Sequence, residues 1–201
     1  MKKSIITVLV LVLLLAAAMP LFARSTYYFT GDSVFSIRAG VDFPAFISFF
    51  KDSSRGTVLF NDTHLKLGGF ASLAYQGFIS DSFALGGELG YVFNYSRSGM
   101  LLTTVPITVK LSYIPIQTGK FDLALGLNIG GAFIRYNEGK YFAPVASLSL
   151  NPTFYFSETW GIGVETGIMV TGEFYSSNNA KSKASAFAGM MPVVLTLSYR
   201  H

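Results

Sequence analysis

The feature that most constrains this 201-residue sequence is an alternation of large apolar and small residues that recurs along it. From Phe83 to Tyr95, the odd positions hold Phe, Leu, Gly and Tyr, and the even positions hold Ala, Gly, Glu, Val and Asn. A period of two residues is that of a β-strand with one apolar face. Eight segments have this pattern, which predicts eight strands: 35–41, 65–75, 83–95, 105–113, 121–130, 141–156, 160–170 and 193–199.

Composition excludes two broad classes of protein. Hydrophobic residues make up 51% of the chain, and charged residues make up 13%, against about 25% in an ordinary soluble domain. Too few charges are present to cover a water-exposed globule, and too many apolar residues are present for a disordered chain. Past residue 23, no apolar run approaches the length that a membrane-spanning helix needs. The net charge of +4 gives no support for nucleic-acid binding.

The connections between the predicted strands alternate in length. Residues 79–82, 115–119 and 157–159 form tight turns. The other connections are residues 44–64, 96–99, 137–140 and 172–185, of which the first and the last are long. Barrels of bacterial outer membranes have short periplasmic turns and longer outer loops. The alternation therefore predicts three inner turns, four outer loops and both chain termini on the periplasmic side.

The composition of the two strand faces decides which one is turned outward. A soluble, lipocalin-like barrel would present charges to water, but the less apolar face here is mostly Gly, Ala, Ser and Thr. The other face is rich in Leu, Ile, Val and aromatic residues, as in a lipid-facing band. Backbone groups in hydrocarbon must all be paired, so the sheet must close. The predicted fold is all-β, an eight-stranded antiparallel up-and-down transmembrane β-barrel that follows a cleaved signal peptide.

The N-terminus has the features of a secretory signal. Met1 to Lys3 form a short basic region, residues 5–19 are apolar, and Ala23 is a small residue suited to cleavage. We therefore expect residues 1–23 to be a signal peptide and residues 24–201 to form the barrel domain. The chain has no cysteine, so no disulfide stabilises it.

From residue 33 to 201, this architecture resembles the small eight-stranded outer-membrane barrels, namely the OmpX and OmpW types and the membrane domain of OmpA. The resemblance implies the fold and a bacterial outer-membrane location. His201 replaces the terminal Phe or Trp that such barrels usually have. Pro106 and Pro192 fall within predicted strands, where we expect bulges or strand ends, and Pro44 falls where the first strand should finish.

The residues available for chemistry are few. The histidines are His64 and His201, and without cysteine no cluster has metal-ligand spacing. Some barrels of this kind modify lipid A with a Ser, a His and an acid, and Ser53, Ser54, Asp62 and His64 supply these residue types in one loop. No motif of those enzymes accompanies them. We expect no enzymatic activity, no metal and no cofactor.

Along each predicted strand, alternate positions belong to the same face. The charged residues at the positions of the small polar face form the candidate site: Arg38, Lys66, Glu88, Lys110 and Glu165. An isolated charge in a confined lumen is costly, so these side chains should pair. The turn at residues 96–99 sets Glu88 opposite or diagonal to Lys110. Barrel closure brings Arg38 within one strand of Glu165. The alternative is that each charge is hydrated in a wet lumen.

These observations favour a structural or surface-interaction role for a barrel with a plugged interior. The alternative is a narrow channel or carrier for small, apolar molecules, which the resemblance to the OmpW type implies. The expected partners are outer-membrane lipid and a surface ligand or host partner contacted through the outer loops, with no nucleic acid. The protein is expected to be a monomer. Residues 176–183 are polar and mildly basic, and we favour a solvated loop there over a site for an acidic partner.

Overall fold

The computed structural model describes residues 27–52, 54, 56–137, 139–174 and 185–201. The predicted signal peptide and the polar segment 176–183 lie outside these residues. One short 3₁₀ helix spans Phe60–Thr63, and none of the described helices could cross a membrane. The strands are β1 (Ser33–Ser48), β2 (Thr57–Leu59), β3 (Gly68–Ser80), β4 (Phe83–Tyr95), β5 (Leu101–Gln117), β6 (Phe121–Tyr136), β7 (Gly139–Tyr155), β8 (Trp160–Glu173) and β9 (Ala186–Arg200).

Eight of these strands close into an antiparallel barrel. Each of β3 to β8 pairs with the next strand in chain order, and β1 pairs with both β3 and β9. The β1–β9 ladder runs from Val34 opposite Arg200 to Ser48 opposite Phe187. Short β2 lies outside the ring and pairs only with the end of β1. The predicted fold class, a closed eight-stranded all-β barrel, is confirmed.

Strand β3 begins later than the alternation predicts. Residues 65–67 have the strand pattern, but Leu65 forms only an isolated bridge to Ser96. The chain leaves the 3₁₀ helix through His64, whose φ of 59° is in the left-handed region. It joins the sheet at Gly68, so the predicted strand start at residue 65 is wrong.

The barrel has two ends, which we name by what lies there. The terminal rim carries the turns 81–82, 118–120 and 156–159 together with the first and last described residues, and the loop rim carries the other connections. At the loop rim, β6 and β7 pair as far as Tyr136 opposite Gly139. That connection is therefore as short as the turns at the terminal rim. The expected contrast between long outer loops and short inner turns holds for the first and last connections and fails for this one.

Side chains alternate between the two surfaces of the barrel wall. Leu89 on β4 is 51% exposed, whereas its neighbour Glu88 is 7% exposed. The same alternation places Ile107, Ile129 and Val164 outside among the exposed apolar residues. The large apolar face is therefore outward and the small polar face lines the lumen, as the sequence predicts.

The prolines affect the ladders in two ways. At Pro44 the β1–β9 register shifts by one residue, which makes a bulge, and β1 continues to Ser48 instead of ending. At Pro106 and Pro192 the register is unchanged, but pairing with one neighbouring strand is interrupted. A proline has no N–H to donate to the ladder, and the other ladder of the same strand holds it in place. The expected bulges or strand ends at these two positions are wrong.

Candidate functional site

Four charged side chains meet in the middle of the lumen. Arg38 on β1 forms ion pairs with Glu88 on β4 and with Glu165 on β8, at 2.7 and 3.1 Å. Lys110 on β5 lies with its Nζ 3.3 Å from a carboxylate oxygen of each glutamate. We name Arg38, Glu88, Lys110 and Glu165 the central charge cluster. It joins four strands across the lumen.

Strand register explains how the cluster is assembled. Glu88 pairs directly with Thr108, which puts Lys110 at the diagonal position on the same face. Arg38 pairs with Thr196 on β9, and Glu165 pairs with Val194 on the other side of that strand. The register therefore places Lys110 beside Glu88 and Arg38 two strands from Glu165, whereas the contact of Lys110 with Glu165 spans the lumen.

The cluster is buried and has a further polar contact. Asn128 Nδ2 donates a hydrogen bond to Glu88 Oε2 at 2.9 Å. Two cations and two anions balance one another, which offsets the cost of removing them from water. Removing one partner leaves its counterpart as an uncompensated buried charge, which is strongly destabilising.

Lys66 is not part of the cluster. It is exposed at the loop rim, in the segment that precedes β3, where its N–H donates to Tyr95 O. Because β3 begins at Gly68, the alternation of side chains between the lumen and the outward face does not extend to residue 66. The structure therefore contradicts the predicted interior position of Lys66.

A second polar group fills the lumen at the terminal rim. The hydroxyl of Tyr28 donates to Asp122 on β6 and lies 3.1 Å from the hydroxyl of Tyr155 on β7. The guanidinium of Arg200 on β9 lies 3.6 Å from the centre of the Tyr155 ring and 4.0 Å from that of Tyr27. Burial raises the pKa of the Tyr28 hydroxyl above its ordinary value, so the phenol stays neutral to a higher pH than an exposed tyrosine does.

The segment 27–32 is inserted into the barrel end by backbone contacts. The N–H groups of Tyr27 and Tyr28 donate to Gln117 Oε1 at 3.1 and 3.0 Å, and Gln117 Nε2 donates to Asp81 O at 2.5 Å. The Tyr28 ring stacks on Phe78, with their centres 4.0 Å apart. We name residues 27–32 and the side chains they contact here the terminal plug.

Sequence reasoning missed the terminal plug, and only part of it had a signal. Asp122 has the parity of the small polar face of β6, so it could have been added to the interior charges. Arg200 shares the lumen side of β9 with Thr196 and Ser198. Tyr28 precedes the first strand and has no periodicity to place it. Asp42, four residues after Arg38 on β1, also faces the lumen and is fully buried.

Towards the loop rim, the lumen becomes apolar. Buried residues from six strands pack together there, and we name them the apolar layer: Phe70, Val92, Ala132, Ile134, Ala143, Val145, Met169, Met190 and Val194. Leu102 and Tyr141 are partly buried and pack against the apolar layer.

Above the apolar layer lies an open cup at the loop rim, with a volume of about 420 Å³. Ile47, Phe49, Leu102, Tyr141 and Ala188 contribute to its wall. Two lumen cavities lie deeper, and they have volumes of only about 50 and 30 Å³. Each has room for a water molecule or two.

The residues considered for catalysis are not assembled into a site. The Ser54 hydroxyl donates to Asp52 Oδ1 at 2.6 Å, and His64 and Asp62 are exposed at the loop rim. Ser53 lies outside the described residues. In the part of the chain that the structure describes, no three His, Asp or Glu side chains are grouped to hold a metal ion.

The fold has a counterpart among solved structures. Ail, the attachment invasion locus protein of Yersinia pestis, in complex with the heparin analogue sucrose octasulfate, has a TM-score of 0.51 and 11% identity, covering 86% of this chain and 100% of Ail. The chain has the closed, small eight-stranded barrel fold of Ail. AlkL in lipid bilayers (TM-score 0.45, 14% identity) and Neisserial surface protein A (0.44, 12%) are two other similar structures. The match with AlkL covers 89% of this chain and 94% of AlkL. The match with Neisserial surface protein A covers 85% of this chain and 96% of that protein.

Two comparisons of sequence place the barrel among its relatives. One protein-family model matches residues 18–199, so the barrel belongs to that family. An uncharacterized protein of Borreliella burgdorferi is 25% identical over 216 residues, covering 96% of this chain and 98% of the relative. An uncharacterized protein of Treponema pallidum is 27% identical over 110 residues, covering 55% of this chain and 50% of the relative.

Proposed function

We propose that this protein is an integral outer-membrane barrel with a closed interior, which acts as a structural or surface-interaction protein through its loop rim. The observation that carries the proposal is the filled lumen, where the central charge cluster joins β1, β4, β5 and β8. An eight-stranded barrel is only wide enough for side chains to fill. With the interior occupied, the surfaces left for interaction are the lipid face and the two rims.

The outward surface supports a membrane location. Exposed Leu, Ile and Val side chains form its middle, and aromatic pairs such as Phe133 with Phe142 and Trp160 with Tyr199 lie towards the two rims. This is the arrangement of a hydrocarbon-facing band between aromatic girdles. In other barrels the short turns face the periplasm, and by analogy we propose that the terminal rim faces the periplasm here.

Orientation can be tested with single cysteines, because the chain has none of its own. Ser98→Cys lies at the loop rim and Lys120→Cys at the terminal rim, and both positions are exposed. On intact cells, a membrane-impermeant maleimide should label the Ser98→Cys protein and leave the Lys120→Cys protein unlabelled. The reverse pattern would overturn the orientation, and equal labelling would overturn the membrane location.

Single-channel recording in planar bilayers tests the closed interior. The refolded protein should give no stable conductance steps, because the deep cavities hold only a water molecule or two. Regular steps from the unmodified protein would mean that the lumen conducts, and the closed-interior proposal would be wrong.

A second candidate function is the binding of a small apolar molecule in the loop-rim cup, and the cup itself favours it. Its 420 Å³ is within the range of ligand pockets. The hydroxyls of Thr63 and Thr171 in its wall donate to Phe60 O and Ala188 O. A ligand there would meet mostly apolar surface. The apolar layer closes the cup below, so this would be a binding site rather than a passage.

Methyl NMR of the refolded protein tests the cup. Adding a short alkane should shift the methyl signals of Ala188 and Ile134 and leave that of Ala84, which is buried near the terminal plug. Ala188→Trp should fill the cup and abolish the shift of the Ile134 methyl signal, which remains observable in that variant. Unchanged cup signals at alkane saturation would exclude this candidate.

A further inference from the structure

The lipid-facing surface carries very few charges. The eight barrel strands contain ten charged residues, and those on the lumen side are Arg38, Asp42, Glu88, Lys110, Asp122, Glu165, Glu173 and Arg200. The two that remain, Arg135 at the end of β6 and Lys140 at the start of β7, are exposed on the outward face. Both are cations, and both are on one hairpin at the loop rim.

These two cations face each other across the hairpin. Arg135 pairs directly with Lys140 in the β6–β7 register. Like charges at directly opposed positions destabilise a strand pair. Among the described residues, no carboxylate forms an ion pair with either cation. An anion bound between them would remove the repulsion.

The surroundings of the pair are amphipathic. Phe133 and Phe142 are the next outward pair along the hairpin towards the membrane middle, with ring centres 5.0 Å apart. These rings are 57% and 63% exposed. Aromatic rings at this level mark the boundary between headgroups and hydrocarbon. The two cations therefore lie at the level of lipid headgroups.

Beside the pair, the outward surface has a cleft of about 470 Å³ that Arg135 helps to line. Tyr91, Leu101 and Met100 supply apolar surface. Thr103, which pairs with Arg135 in the β5–β6 register, supplies a hydroxyl. The cleft thus combines a cation, a hydrogen-bonding hydroxyl and apolar walls on a face turned to lipid.

We propose that Arg135 and Lys140 bind the phosphate of an anionic lipid headgroup in the leaflet at the loop rim, with its acyl chains against the Phe133–Phe142 pair. Arginine and lysine are the side chains that bind phosphate, and basic residues at a membrane surface attract anionic lipids. A lipid is the favoured source of the phosphate, because the apolar surface beside and below the cations would otherwise face hydrocarbon alone. The inference rests on the proposed membrane location.

Quenching of tryptophan by brominated lipids tests it. The chain has one tryptophan, Trp160, which is outward-facing at the terminal rim. A Phe133→Trp reporter in a Trp160→Phe background reads the lipid beside the cation pair, and unmodified Trp160 reads lipid at the opposite rim. Phosphatidylcholine vesicles contain a minor fraction of either brominated phosphatidylglycerol or brominated phosphatidylcholine. Glu138, which lies outside the described residues, is unchanged in every variant.

At the Phe133→Trp reporter, the ratio of the association constant of phosphatidylglycerol to that of phosphatidylcholine should be at least about five. It should be near one at Trp160. Adding Arg135→Gln and Lys140→Gln to the reporter should return the ratio to near one. The matched control is Lys66→Gln with Lys120→Gln, which removes two exposed cations elsewhere, and the ratio should stay high.

Each other outcome has a distinct meaning. Equal quenching by both lipids at the Phe133→Trp reporter overturns the lipid site and leaves the membrane location intact. No quenching by either lipid overturns the membrane location itself. If inorganic phosphate abolishes the preference and chloride at the same ionic strength does not, the pair binds free phosphate in place of the lipid, and the lipid assignment is wrong. Quenching by brominated phosphatidylcholine also verifies that each variant has inserted.

Discussion

The two parts of the lumen are filled by opposite chemistry, although the same strands line both. From the terminal rim to the middle, the terminal plug and the central charge cluster leave cavities of about 50 and 30 Å³. Towards the loop rim, the apolar layer is followed by a cup of about 420 Å³. The polar part closes the barrel through specific pairs. The apolar part closes it mainly by packing, with a hydrogen bond from Asn94 Nδ2 to Asp42 O at 3.4 Å beside the apolar layer.

The difference follows from which residues share the lumen face. In the middle, small residues leave space for long charged side chains. A Cβ at Gly126, for example, would lie 2.5 Å from Ser149 Oγ and 3.4 Å from Lys110 Cε. Towards the loop rim, larger side chains such as Phe70 and Met169 are buried in one apolar cluster that occupies the lumen. The polar part should therefore be sensitive to loss of a partner, and the apolar part to change of volume.

The largest effect is expected from Glu88→Gln combined with Glu165→Gln. Both carboxylates are lost while Arg38 and Lys110 remain buried, which should lower the free energy of unfolding by about 3–5 kcal/mol. Urea unfolding in lipid vesicles measures it, with exposed Glu158→Gln as control. A double variant that conducts in planar bilayers and matches the control in stability would mean hydrated charges in an open lumen.

Leu89→Arg sharpens the contrast between the lumen and the lipid face. Arg38 is stabilised inside by two glutamates, whereas an arginine at position 89 would face hydrocarbon near the middle of β4. It should cost about 2–4 kcal/mol in vesicle refolding. Asp62→Arg, on the exposed 3₁₀ helix, should cost little. Equal tolerance at both positions would contradict the assignment of the outward face.

Tyr28→Phe tests the terminal plug. The ring and its stacking on Phe78 remain, but Asp122 loses the hydroxyl that donates to it. We expect a loss of about 1–3 kcal/mol in urea unfolding, because the buried Asp122 carboxylate loses a hydrogen-bond donor and keeps the longer ion pair with Arg200. Tyr95→Phe, at an exposed position on β4, is the matched control. Equal small effects would show that residues 27–32 do not seal the barrel.

The smallest effect is expected in the apolar layer. Met169→Leu conserves volume and removes no hydrogen bond, so it should cost less than about 1.5 kcal/mol. Asn128→Leu is its counterpart in the polar part, and it should cost about 1.5–3 kcal/mol because Asn128 donates to a charged carboxylate. If the order of the two losses is reversed in urea unfolding, the two parts of the lumen do not differ as described.

Parity predicted much of the candidate site, and its failure at Lys66 shows the limit of the method. Arg38, Glu88, Lys110 and Glu165 lie within long strands, where a period of two fixes the face of every residue. Lys66 precedes a strand whose start is set by the left-handed turn at His64. Parity holds only while the ladder continues, and the sequence alone does not locate its first hydrogen bond.

Prolines show a similar limit. The sequence correctly indicates that Pro106 and Pro192 cannot donate to a ladder. It does not reveal that the remaining ladder of each strand keeps the register, whereas Pro44 allows a bulge. Whether a proline keeps the register or makes a bulge depends on how firmly the neighbouring strands hold the segment around it.

The sequence by itself determined the strand count, the outward apolar face and the closed all-β fold, because period two and the pairing demand of hydrocarbon act locally on every strand. Only the tertiary structure decided which of the interior charges meet across the lumen and that residues 27–32 close one end of it. Tyr28 meets Asp122 across 94 residues of sequence, and Arg38 lies between glutamates on β4 and β8. Those contacts depend on the stagger with which the barrel closes, and a strand carries no local signal for the height of its neighbours.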